Sequence, residues 1–212
     1  MNKVYLITRP EHDDTTYYLS SWSRETIDLA NKKGIKTLDL NRKRANRKEF
    51  EDMIKKISPT FIVLNGHGDE NTVMGHENKP IVTLGENEGL LKSRMIYAIS
   101  CRSAINLGRE SVKAGATNYT GYDDDFIFFY DPSKITRPLQ DETARKFLEP
   151  SKLFITSVIK GNTIAESREK TERLLKENMI RCFNNPLETN MARFLWWDSQ
   201  HLVSHGDTNA RF

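Results

Sequence analysis

The sequence predicts an α/β domain, a mostly parallel central sheet flanked by helices on both faces in three layers. Two observations carry this. Short apolar runs rich in β-branched and aromatic residues recur, as in Val4-Tyr-Leu-Ile-Thr8, Phe61-Ile-Val-Leu64 and Met95-Ile-Tyr-Ala-Ile99. Continuous rather than alternating runs mark strands buried on both faces. Between these runs lie segments with apolar residues at helical spacing, and strands that alternate with helices build parallel sheets.

The elements follow in order. Val4–Thr8 is the first strand, stopped by Pro10. Asp13 and Asp14 offer N-caps for a helix over 15–33, and Gly34 supplies its stop. Residues 35–40 form a second strand. A second helix covers 47–57, with Phe50, Met53, Ile54 and Ile57 on one face, and Ser58-Pro59 ends it. Residues 60–64 are the third strand. The stretch 65–89 reads as an irregular excursion punctuated by glycines, with 81–84 a short extra strand. Residues 95–100 are the fourth main strand, 103–114 a helix, and 116–122 the fifth strand. Ile155–Ile159 fits either a sixth strand or part of a helix. A long charged helix covers 162–181. Beyond Asn184 no period is visible, and Phe194-Leu-Trp-Trp197 is either a core anchor or a docking patch. The division is a main domain over 1–183 and a C-terminal segment, 184–212, packed on it or used for docking.

Bulk properties narrow the function. A length of 212 residues suits one domain. Charged residues reach 29%, yet 32 Lys plus Arg against 29 Asp plus Glu leave a net charge of only +3. That balance argues against a nucleic-acid partner. No apolar run approaches a membrane span, and the N-terminal run is too short for a signal peptide. The two cysteines, Cys101 and Cys182, form no CxxC pair, which argues against a structural zinc site or a disulfide framework. The expectation is a cytoplasmic protein with free thiols, no membrane partner and no cofactor. No GxGxxG or P-loop follows a strand, which weakens a nucleotide-binding reading.

The chemistry concentrates at two strand ends. Phe61-Ile-Val-Leu-Asn-Gly-His67-Gly68 ends on a histidine and a glycine, and Arg94-Met-Ile-Tyr-Ala-Ile-Ser-Cys101 ends on a cysteine. Sites in open parallel sheets form beyond the carboxyl ends of the strands. There an imidazole can accept the proton of a thiol that attacks a carbonyl. Backbone N–H groups of Gly68 and Cys101 are the candidate donors to the oxyanion. His76 is a rival base that follows no apolar strand. Cys182, at the end of an amphipathic helix, reads as core packing. His201 and His205 would share a helical face near Asp198 and Asp207, but no third ligand is in view, so they read as a solvated tail and no metal is expected. His12 has no evident partner.

An apolar strand, Asn65-Gly-His-Gly68, then a later apolar strand ending Ser100-Cys101 resembles the caspase-like cysteine peptidases, the group of caspases, metacaspases, gingipains, separases and bacterial CHAT-domain proteases. The resemblance covers roughly residues 1–125. It implies the caspase–hemoglobinase fold, a His67–Cys101 dyad, an oxyanion hole using Gly68, a protein or peptide substrate, and a bacterial or archaeal effector switched on by an activating partner. Two positions depart from metacaspases: Ile99 stands where an acidic residue is usual, and Arg102-Ser-Ala replaces a small Gly-rich turn. Several relatives cleave after Arg or Lys, which makes Asp123 and Asp125 after the fifth strand, and Asp14 with Asp13 after the first, a candidate acidic pocket for substrate. A solvated turn or a calcium site are other readings of Asp123-Asp-Asp125. An acidic preference would instead use Arg9 and Arg102. Lys134 and Arg137, in an expected exposed loop, would suit self-cleavage.

Overall fold

The computed structural model describes residues 3–212. Strand β1 (Val4–Arg9) leads into helix α1 (Asp14–Lys32), then β2 (Lys36–Asn41), α2 (Arg47–Ile57) and β3 (Phe61–Asn65). A hairpin of β4 (Thr72–Met74) and β5 (Pro80–Thr83) precedes β6 (Met95–Ile99), a short α3 (Leu107–Lys113) and β7 (Asn118–Tyr122). Helices α4 (Glu142–Ile159), α5 (Ile164–Phe183) and α6 (Thr189–His201) follow, and β8 (Leu202–Gly206) closes the chain.

The sheet has the order β2-β1-β3-β6-β7-β8. Every pairing is parallel except that of β7 with β8. Side chains of a strand alternate between faces, and here both faces are apolar. Tyr5, Ile7, Phe61, Val63, Met95, Tyr97 and Ile99 pack beneath α1 and α4. Leu6, Ile62, Leu64, Ile96 and Ala98 pack beneath α2, α3 and the β4–β5 hairpin. Crossovers between parallel strands are right-handed. The chain steps one way from β1 to β2 and the other way from β2 to β3, so α1 and α2 fall on opposite faces. The expected α/β architecture holds.

Other expectations are resolved or corrected. Ile155–Ile159 is helical, the end of α4. Pro150 inside that helix removes one N–H, the donor to the Lys146 carbonyl. The Nδ2 of buried Asn178 in α5 donates to that carbonyl at 2.8 Å instead. The helix expected over 103–114 begins only at Leu107, because residues 101–106 are turns. Residues 184–212 do more than pack on the domain: they supply α6 and the edge strand β8. His201 and His205 therefore share no helical face and form no solvated tail. His201 ends α6, while His205 lies on β8 and donates to the Ala104 carbonyl at 2.9 Å. Cys182 is fully buried among Phe147, Leu175 and Leu195, as expected of core packing.

Candidate active site at the carboxyl edge of the sheet

Strands β3 and β6 are neighbours in parallel register, with Asn65 opposite Ile99 as the last pair. Gly66-His67-Gly68 and Ser100-Cys101 thus leave the sheet side by side. The Gly66 N–H donates to the Ile99 carbonyl at 3.3 Å, and the Ser100 hydroxyl to the His67 carbonyl at 3.0 Å. A Cβ on Gly68 would stand 2.0 Å from Ser100 Oγ and 2.7 Å from the Thr72 carbonyl oxygen. Only glycine lets the two segments approach this closely. The Gly68 and Cys101 amides enter no hydrogen bond with another described residue. Arg102, directly after the cysteine, sits in the left-handed region at φ 56, a conformation that side-chain-bearing residues hold only when the surroundings enforce it. Its N–H donates to the Asp124 carbonyl at 3.0 Å and its guanidinium to Asp125 at 3.0 Å.

The two candidate catalytic side chains bond to other groups rather than to each other. The Cys101 thiol, half-buried, points its hydrogen at the Phe126 carbonyl at 3.9 Å. Burial pushes its pKa up. The nearby Asp125 charge adds to the rise. His67 donates from Nε2 to Asp13 Oδ2 at 2.7 Å. Partial burial opposes charge on Asp13, but the Thr16 amide and His67 outweigh it and hold the carboxyl below its usual range. Asp13 Oδ1 meanwhile accepts the Thr16 N–H at 2.8 Å, and the Thr16 hydroxyl completes a capping box at the start of α1.

Each acid of the expected substrate pocket has a partner. Asp123 accepts from His201 Nδ1 at 2.8 Å, Asp125 pairs with Arg102, and Asp14 accepts from the Tyr130 hydroxyl at 3.1 Å. The arginines offered for an acidic preference are also committed. Arg9 is buried in a two-pronged pair with Asp39, with bonds of 2.8 and 2.6 Å, and Arg102 holds Asp125. Trp197 donates to the Asp125 carbonyl at 3.1 Å, tying α6 to the site, while Trp196 is half-exposed. Asp198 of α6 is fully buried. It accepts the Ile127 N–H at 3.1 Å and leaves Oδ2 unpartnered, and burial pushes its pKa far up.

Sequence reasoning missed the partner of His67. Asp13 was legible as an N-cap and as a source of acid, but its link to β3 depends on the pairing of β1 with β3. His12, expected to lack a partner, donates to Asn78 Oδ1 at 3.0 Å and lies 3.5 Å from Asp13. No metal was expected, yet His12, Asp13 and His67 present three ligand atoms within 4.8 Å of one another. His76 packs edge-on against His12. A surface groove of about 790 Å³ lies at the opposite sheet edge, lined by Lys3, Lys33, Lys36 and Lys56. Lys33 and Lys56 sit at the carboxyl ends of α1 and α2, where their charge offsets the helix dipoles. No helix among the described residues is long and apolar enough to cross a membrane. No protein-family profile and no curated protein sequence matches the chain.

Proposed function

We propose that the chain is a caspase-like cysteine endopeptidase. One observation carries this reading: His67-Gly68 and Cys101 emerge from adjacent parallel strands, with the Gly68 and Cys101 amides uncommitted beside them. In the reaction, Cys101 Sγ bonds to the scissile carbonyl carbon. With Nε2 of His67 held by Asp13, Nδ1 is the nitrogen left to take the thiol proton and pass it to the leaving amine. The two amides donate to the oxyanion. Water, deprotonated by the same imidazole, then releases the acyl group and restores the thiol. Apart from that water, the groups used in these steps are the chain's own.

A preference for a basic residue before the cleaved bond draws on Asp14, Asp123 and Asp125. Asp14 contributes most, because its partner is an uncharged hydroxyl and its charge is left to attract a substrate cation. The burial that raises the thiol pKa supports a resting state that a protein partner would open, as in a regulated bacterial effector. A second reading, an interaction domain that keeps the fold without turnover, is favoured by the thiol bonding Phe126 rather than His67.

The test is hydrolysis of fluorogenic peptides ending in Arg, Lys, Asp, Leu or Asn, by the wild type and by Cys101→Ala. Turnover lost in the variant is the expected result, fastest on Arg or Lys. Wild-type turnover that survives Cys101→Ala sinks the peptidase reading, and no turnover on any peptide favours the interaction domain.

A further inference from the structure

His67 faces a second set of groups on the side away from Cys101. The strand order reverses between β1 and β3, and at such a reversal the crevice outside the strand ends is where open sheets bind ligands. Beyond its end β1 delivers His12 and Asp13 to this point, and β3 delivers His67. The Nε2 atoms of both imidazoles lie close to one oxygen, Asp13 Oδ2, at 2.7 Å from His67 and 3.5 Å from His12. The three ligand atoms fall within 4.8 Å of one another. Tetrahedral zinc with bonds of about 2.0–2.2 Å spaces its ligand atoms by about 3.4 Å. The cluster is therefore near that size before any ion is present.

A second observation is independent of these distances. His12 Nδ1 and His76 Nδ1, on rings whose centroids are 5.5 Å apart, are both buried without a hydrogen-bond partner. Buried polar atoms without partners are rare in folded proteins. With Nδ1 unpartnered, only the Nε2 bond to Asn78 sets the present His12 tautomer. The ring can carry its single proton on Nδ1 and present a bare Nε2 in place of its present bond to Asn78.

We propose that His12, Asp13 and His67 bind a zinc ion, with water at the fourth position. Two imidazoles and a carboxylate suit zinc, and the site uses no sulfur. On binding, the proton leaves His67 Nε2 and the metal takes its place, so the neutral ring carries its one proton on Nδ1. No lone pair is then left to accept the thiol proton. Zinc in this site switches off the base. That regulatory half rests on the peptidase reading; the ion site does not.

Zinc is titrated into the full chain against a chromophoric chelator, using the wild type, Cys101→Ala, His12→Asn and Asp13→Asn, each checked for folding by circular dichroism. The expected result is one zinc per chain in the wild type and in Cys101→Ala, weakened about tenfold or more in the other two. Zinc-edge X-ray absorption should give nitrogen and oxygen neighbours only. Absence of saturable uptake, undiminished affinity in both His12→Asn and Asp13→Asn, or sulfur in the coordination shell overturns the site. In the peptide assay zinc should inhibit with a midpoint equal to the measured affinity, and that midpoint should rise in step in His12→Asn. Saturated zinc without inhibition overturns the switch. If no peptide is cleaved even after chelation, the peptidase reading and the switch fall together, while uptake and absorption still decide the ion site.

Discussion

The two carboxylate oxygens of Asp13 serve different ends, one holding the first turn of α1 and the other holding His67. Substitutions can separate the two. Asn caps a helix as well as Asp, so Asp13→Asn should melt close to the wild type while peptide turnover falls on the order of 10²-fold. Asp13→Ala should lose turnover and also about 1 kcal/mol of stability. Thermal melts beside initial rates check both, and equal melting losses in the two variants would contradict the assignment. Cys101 gives a pH prediction. Its pKa is raised, so the thiolate fraction is small at neutral pH and grows as pH rises. Alkylation by iodoacetamide should keep accelerating past the pH at which a free thiol levels off, and a plateau at or below that of a free thiol would count against it. His67, Gly68 and Cys101 were legible because each ends a run of strand-forming residues. The role of Asp13 was not, since nothing local ties positions 13 and 67.

At the scale of elements, α4 and α5 are coupled by a repair. Pro150 leaves the Lys146 carbonyl without its helical donor, and Asn178 replaces it from the next helix. Asn178→Leu should cost about 1–2 kcal/mol, the penalty of an unsatisfied acceptor. In Pro150→Ala the helical N–H returns, and the same change should cost less. A double-mutant cycle by urea denaturation measures the difference, and equal costs in the two backgrounds would rule out the coupling. The same proline explains why α4 was hard to read: it interrupts the helical signal, leaving Ile155–Ile159 open to either assignment. The inner strands were easy to read because burial on both faces gives unbroken apolar runs. Edge strand β8, Leu-Val-Ser-His-Gly, has one half-exposed face and too few apolar positions to stand out.

For the whole molecule, β8 closes what would otherwise be an open edge. Every residue of β7 is buried, and the antiparallel β7–β8 pairing satisfies its outer backbone groups. A chain ending at His201 should expose that edge and self-associate. Size-exclusion chromatography over a concentration series checks this, and a monomeric, fully folded truncation would refute it. The parallel sheet and its two helical faces were readable from patterning. The closing strand was not, because its place depends on a pairing partner about 80 residues earlier in the chain.

The first turn of α1 links this scaffold to its proposed chemistry. Helix ends fray at lower cost than the core opens, and here fraying would carry Asp13 away and set the His67 ring adrift. Heating should therefore extinguish turnover, reversibly, several degrees before the sheet melts. Rates and circular dichroism recorded over one temperature ramp would reveal the gap as a warm, folded and idle protein.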